Sequence, residues 1–500
     1  MVALEDVAEN LLRKPSDSPH IFQSRPVSDY KPLHTYELDK ARSYQQQYGD
    51  MYFLRLTKIR PAVEEVAAAS WDGTVIGGEE AKRVERVLDV RQGELCWVVG
   101  TVFVAMPLKP DILDDVSKDR WISAPVMPQK YFTDVDSNEI MLEDDSGRIR
   151  LAGDLLRSVN LVTGCIIAVM GTENSNGELE IIDIKLPDLP PQPERWSLSK
   201  ASNGKAKAKA GDEDEEMANA PTSVGKKVAL VSGLSFSGTD ASYALELNLL
   251  LEYLLGEALG PTAQTEMAQI SRLIIAGNSI STAKSEQEEE ADGKKSAKKY
   301  GYDASAYNAL PSQIFDEFLT ELLPSIPVTL LPGELDPANA SYPQQPIHIA
   351  MFPKSRNFSK NPGSQEPGWF DAVTNPWEAE VEGWRILGTG GQNVDDVFKY
   401  VESDDRLGMM EAMCRWRCCA PTAPDTLWSY PFQDDDPFVL KDCPHLYFVG
   451  NQPEFGTRVI HGPAGQSVRL ITVPSFAAKK EIVLVDTETL EVSKVQIMTS

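Results

Sequence analysis

Apolar positions recur in two rhythms along the chain. From about residue 50 to 190 they form short runs bounded by turns: MYFLRLTKI, GELCWVVGTVFVAM, NEIMLEDDSGRIRLAG, GCIIAVMGTE and GELEIIDIKLP. Alternation on both sides of Asp-Asp-Ser-Gly predicts a hairpin, and β-rich runs at this spacing predict a small barrel. We expect five strands closed in the oligonucleotide/oligosaccharide-binding manner. Between them VIGGEEAKRVERVLDV reads as partly helical, and residues 107–131, with Pro107, Pro110, Pro125 and Pro128, as an irregular excursion. Ahead of the barrel, Pro15, Pro19, Pro26 and Pro32 followed by LDKARSYQQQYGDMYFLRL predict an extended arm and then a helix.

From residue 228 the rhythm changes to strands alternating with helices. KKVALVSGLSF, SRLIIAGNSIS, IPVTLLPGELDP and HLYFVGNQPEF read as buried strands. SGTDASYALELNLLLEYLLGEALG reads as a helix capped by Asp240, with Ala244, Leu247, Leu251, Leu254 and Leu255 apolar, and PSQIFDEFLTELLP as one opened by Pro311. The tail from Arg458 to Met498 alternates as hairpins. Residues 197–227 and 283–299 have almost no large apolar side chains, too few to offset the entropy of ordering. The chain is thus expected to be a mixed α+β, multidomain protein: an arm and helix (1–49), a barrel domain (50–195), a disordered linker (196–227), and an α/β domain (228–500) with a disordered insertion (283–300).

Charge narrows the function. Forty-eight Lys and Arg stand against 75 Asp and Glu, a net charge of −27, which opposes condensation onto a nucleic-acid backbone. No run approaches the roughly 20 apolar residues of a membrane span, and MVALEDVAENLLRKP lacks the order of a secretory signal, so a soluble intracellular protein is expected. In the barrel, Tyr52, Trp97 and Phe103 are aromatic, but Asp89, Glu94, Glu143, Asp144 and Asp145 surround them, so core packing and protein binding are expected over stacking on single-stranded DNA. Cys96, Cys165, Cys414, Cys418, Cys419 and Cys443 lack disulfide spacing. Cys414, Cys418, Cys443 and His445 assemble on paper into a zinc site, yet Cys-x-x-x-Cys one helical turn apart, on a stripe with Met410, reads as packing thiols. His20 and His34 lie in the arm, His348 is expected to start a strand, His445 to precede one, and His461 to be structural or at the surface. SGLSFSG and GTGGQN read as turns, and the acidic runs Asp212 to Glu216 and Glu288 to Glu290 as solvated segments.

Strands of the second domain end in short polar tips: VSGLS, AGNSIS, PGELD, TNPW and VGNQPEF. Sites in α/β sheets gather at such carboxyl ends. Their order resembles the calcineurin-like metallophosphoesterases, which hold two metals with Asp-x-His, Gly-Asp-x-x-Asp, Gly-Asn-His-Asp/Glu, a lone His and Gly-His-x-His. Laid onto that pattern, Gly233 and Ser235 replace the first Asp and His, Asn278 the bridging Asp, and Ser281 the second Asp. Glu334, Leu335 and Asp336 replace Asn-His-Asp, Asn375 the lone His, and Asn451 and Pro453 the final pair. The resemblance therefore implies an α/β sandwich that has lost its metal ligands, with no catalytic residues, metal or cofactor.

A barrel followed by such a domain resembles the B subunits of the eukaryotic B-family replicative DNA polymerases. VVGTVFVAMPLKPDIL, VALVSGLSF, RLIIAGNSIS, LPGELDP, TNPWEAEVEGWRILGTGGQNVDD, APTAPDTLWSYPF and VGNQPEFGTRVI carry this likeness, and their wording is similar to the delta-type members, which polymerase zeta also uses. What it implies is a nuclear, non-catalytic scaffold in replication and repair. Its partners would be the C-terminal cysteine-rich domain of the catalytic subunit, a third accessory subunit and the polymerase zeta catalytic subunit, with DNA met only through the assembly. An active two-metal phosphodiesterase and a single-stranded DNA-binding barrel stay open as alternatives.

Overall fold

The computed structural model describes residues 24–39, 42, 48–110, 130–133, 137–195, 226–238, 242, 244–256, 261–281, 308–361 and 367–498. The expected linker up to residue 225, the insertion 283–300, most of the excursion, His20 and the Asp240 cap lie outside the described residues. No helix among the described residues is long and apolar enough to cross a membrane.

A short strand, β1 (Tyr30–Pro32), precedes the first helix, α1 (Gly49–Trp71). MYFLRLTKI was expected as a strand-forming run, and here it is the start of α1. The buried positions Met51, Arg55, Leu56, Ile59, Val63, Ala67 and Trp71 recur at helical spacing over 23 residues, and that sustained period outweighs a nine-residue run that reads as a strand. A second correction concerns VIGGEEAKRVERVLDV. It forms a hairpin of β2 (Val75–Ile76) and β3 (Glu79–Glu80), then β4 (Lys82–Arg83) and a single 3-10 turn, Val87–Asp89. Gly77 and Gly78 sit at φ 63° and 93°, a conformation that closes a tight hairpin and breaks a helix.

The barrel comprises β5 (Leu95–Ala105), β6 (Glu139–Glu143), β7 (Arg148–Ala152), β8 (Ile166–Glu173) and β9 (Glu178–Lys185). Neighbours run β5-β6-β7-β9-β8, and β8 pairs back onto β5 to close it. One long strand serves both partners: residues 95–101 pair with β8 and residues 101–105 with β6. Gly100 permits the crossing, since a Cβ there would lie 2.8 Å from the Glu143 carbonyl. Val98, Val102, Leu142, Leu151, Val169 and Leu179 fill the interior, while Trp97, Val99, Ile166 and Ala168 pack outward on α1. Both faces of β5 are buried, hence its unbroken apolar run.

Two further six-stranded sheets follow. The first runs β13 (Phe370–Ala372), β12 (Val328–Leu331), β11 (Ile270–Ala276), β10 (Lys227–Val231), β19 (Glu481–Asp486) and β20 (Val492–Gln496); the second runs β1, β14 (Trp377–Val381), β15 (Trp384–Thr389), β16 (Leu446–Gln452), β18 (Ser467–Pro474) and β17 (Gly456–His461). They face each other across a core that includes Leu230, Ile274, Leu331, Trp377, Phe448 and Ile471. Outside the first sheet lie α2 (Ala244–Leu255) and α4 (Leu310–Leu322), with α3 (Pro261–Met267) between them in sequence; α5 (Gln392–Tyr400) and α6 (Arg406–Arg415) cover the second, and α7 (Phe476–Lys479) links β18 to β19.

The arm does more than lead into the barrel. β1 adds an antiparallel edge to β14, Tyr30 opposite Val381, and Arg25 donates to the carbonyls of Met267 (2.9 Å) and Ile270 (3.3 Å). Tyr30 also lies under the Arg272 guanidinium, 3.8 Å from ring centroid to Cζ. The arm therefore bridges both sheets.

Barrel and sandwich share one core, in which Leu161 and Val162 join Met410, Trp416 and Cys418. Across this seam the Arg55 guanidinium donates to Asp436 at 2.8 Å and to the Pro421 carbonyl at 2.6 Å, with both side chains at most 1% exposed.

Candidate functional site: the strand tips

Strands β10, β11, β12, β15 and β16 end together, and their tips bond to one another. Gly233 N–H donates to the Gly277 carbonyl (2.9 Å) and Ser235 N–H to the Asn278 carbonyl (3.0 Å). Asn278 Oδ1 accepts from Leu335 N–H at 2.9 Å. Asn451 Nδ2 donates to the carbonyls of Ala276 (3.1 Å) and Gly390 (2.8 Å). Asn375, fully buried, donates to Gln344 and Gln392 (both 2.9 Å) and accepts from Gly390 N–H at 2.9 Å and from Tyr342 at 3.2 Å. Ser235, Asn278 and Asn451 take left-handed φ of 48°, 53° and 56°, which turns the chain sharply as each strand ends.

Glycine lets the tips close on each other. A Cβ on Gly333 would lie 2.4 Å from Asn278 N, one on Gly450 2.2 Å from the Ala276 carbonyl, and one on Gly277 3.0 Å from Gly333 Cα. Backbone and amide groups thus fill the space between the tips. Asp336 is buried, and its oxygens accept from Ile280 N–H and Gly333 N–H, each at 2.8 Å.

Of the ten positions singled out in the sequence, the structure brings Gly233, Ser235, Asn278, Asp336, Asn375 and Asn451 together. Glu334 and Leu335 are exposed, Pro453 is exposed beyond β16, and Ser281 is tied to the Phe236 carbonyl at 2.9 Å. Gln344 and Gln392, which hold Asn375, were not singled out. Gln344 sits in an irregular stretch without periodicity, and Gln392 follows the glycines of GTGGQN that read as a plain turn.

The donors present do not suit two divalent cations. Amides of Asn278 and Asn375 are engaged by protein groups, Asn451 keeps one unpartnered oxygen, Oδ1, and the buried carboxylate of Asp336 is held by backbone N–H groups. No group of three His, Cys, Asp or Glu that could hold a metal occurs among the described residues. Cys414, Cys418 and Cys443 are buried thiols in the shared core, and His445 turns Nδ1 to the Arg385 N–H at 3.1 Å. His348 does not start a strand: its ring caps the 3-10 turn Ile349–Met351, accepting from Ala350 N–H at 3.2 Å.

The barrel aromatics are similarly occupied. Trp97 is 1% exposed in the core against α1. Phe103 is half-buried between Lys109 Nζ (4.4 Å from the ring centroid) and Arg148 Cζ (4.5 Å), and those cations pair with Asp425 and Glu143. Tyr52 is largely buried, its phenol pushed up by desolvation.

Burial also sets a pH dependence. Desolvation, partly offset by backbone N–H bonds, raises Asp336 from 3.8 to about 6, and burial raises Asp371, Asp395 and Asp396 as well. Raised carboxyls favour the fold when protonated, so their contribution is complete below the ordinary carboxyl range and is lost as pH rises through their folded values. Melting midpoints should therefore decline between pH 3.8 and about 6 for Asp336's part, and Asp336→Asn should flatten that slope. A slope unchanged by the substitution contradicts this.

Comparison with known proteins follows the same two-part division. Residues 47–184 match the OB-fold domain family of the DNA polymerase delta subunit, and residues 228–457 match the B-subunit family of DNA polymerases alpha and epsilon. The DNA polymerase delta small subunit of Saccharomyces cerevisiae is 36% identical over 488 residues, covering 92% of this chain and 91% of that protein. The protein of the same name from Arabidopsis thaliana is 36% identical over 476 residues, 95% and 96%. DNA polymerase delta subunit 2 of Drosophila melanogaster is 30% identical over 454 residues, 90% and 93%.

Proposed function

The chain belongs to the family of DNA polymerase delta small subunits, and from that premise we propose that it is the scaffold of its holoenzyme. It is a non-catalytic accessory subunit acting in DNA replication. On our reading it holds the C-terminal cysteine-rich domain of the catalytic subunit on one surface and a third accessory subunit on another, in the nucleus. Repair synthesis and service to polymerase zeta belong to the same reading. The sandwich is read as phosphoesterase-like, with Gly233, Ser235, Ser281, Glu334, Leu335, Asp336, Asn278, Asn375, Asn451 and Pro453 as the remnants of its metal positions.

The observation that carries this reading is the closure of the strand tips by glycine backbone and amide side chains where a phosphoesterase keeps a chamber for two cations. Metal analysis with hydrolysis of a nitrophenyl phosphodiester tests it. No stoichiometric manganese or iron and no turnover are expected, and turnover abolished by Asn278→Ala would overturn it. Single-stranded oligonucleotides should bind the purified chain no better than weakly at about 0.15 M ionic strength. Tagged chain recovered from its own nuclear extract should bring down the catalytic subunit.

A further inference from the structure

The turns after β11 and β12 each aim a backbone N–H group at one point. Asn278, at φ 53°, is followed by Ser279 and Ile280, the left-handed step that makes a concave nest of amides. Gly333, at the end of β12, contributes another. Two of these meet the Asp336 carboxylate, one from each tip: Ile280 N–H and Gly333 N–H, at 2.8 Å each and on different oxygens. The side chain is 6% exposed, and no Lys or Arg pairs with it among the described residues.

We propose that the tips of β11 and β12 form an anion-binding nest, and that this chain fills the nest with its own Asp336 carboxylate. The ligand class follows from the donors. Two N–H groups, one from each tip and with no cation beside them, suit a small oxyanion such as a carboxylate, and their bonds offset part of what burial costs its charge. The carboxylate fastens one tip to the other, the task that paired cations perform in a two-metal site, with the sign of the charge reversed. It stands independently of the scaffold role.

Emptying the nest tests this. Full-length chain carrying Asp336→Ala is melted at neutral pH in sodium formate and in sodium chloride of equal ionic strength, beside the unaltered chain. The variant should melt several degrees lower in chloride, and formate should restore much of the loss with a saturating dose dependence. The unaltered chain should melt alike in both salts. Asp336→Asn, equal in shape but able to accept only one of the two N–H bonds, should melt below the unaltered chain. Superimposable formate and chloride curves for Asp336→Ala, or an Asp336→Asn chain that melts with the unaltered one, would overturn the nest. Should Asp336→Ala not accumulate as folded protein, dilution from urea into the two salts reads the same property: folded recovery in formate alone supports it, and recovery in neither refutes it.

Discussion

Asp436→Ala should cost about 3–5 kcal/mol of stability, the penalty for stranding one member of a buried ion pair. Arg55 is 1% exposed, and its remaining protein acceptor in the seam would be the Pro421 carbonyl. Desolvation alone would push that guanidinium down, and Asp436 is the largest influence holding it up. The charge cannot reach water without parting barrel from sandwich, so the two bodies should also unfold less cooperatively. The double change Arg55→Met with Asp436→Leu should recover most of the loss, because an apolar pair of similar volume removes the desolvation cost together with the attraction. Urea unfolding followed by fluorescence checks both. A single Asp436→Ala chain as stable as the unaltered one would mean that the pair holds nothing.

The second large effect is expected at the tips. Gly450→Ala and Gly333→Ala place a methyl 2.2 Å from the Ala276 carbonyl and 2.4 Å from Asn278 N. Both obstacles are backbone atoms of strand ends and have no rotamer to escape into. The loss should be about 3 kcal/mol or more, at the upper end of overpacking. Gly49→Ala is the control, with nothing within 4 Å and a helix start to stabilise. Equal melting of all three variants would show that the tips have room to yield, and with it room for a ligand.

The barrel was legible because its signal is local. Alternation in IMLE and RIRL on either side of a Ser-Gly turn specifies β6 and β7, and a two-sided apolar run specifies β5. MYFLRLTKI misled because a nine-residue window holds too few turns of helix to display the period that Val63, Ala67 and Trp71 complete. Gly77-Gly78 was readable as hairpin chemistry but was outweighed by the charged residues around it. At the tips, missing histidines and carboxylates are visible in the sequence one position at a time. Closure of the gap is not, since it depends on Gly277, Gly333 and Gly390 approaching across three strands. Gln344 gave no signal because its role is defined solely by its neighbour Asn375.

The arm imposes a schedule on synthesis. Tyr30 leaves the ribosome early, yet its hydroxyl partner, Asp371, is 341 residues further on. At about 5–20 residues per second the leader waits on the order of tens of seconds for its acceptor. In that interval strands β5–β9 can already pair, because all of them precede residue 186, while the core they share with Met410, Trp416 and Cys418 waits for those residues. Nascent chains stalled before residue 371 should therefore leave the Tyr30 segment open to protease, and chains stalled after β14 should protect it.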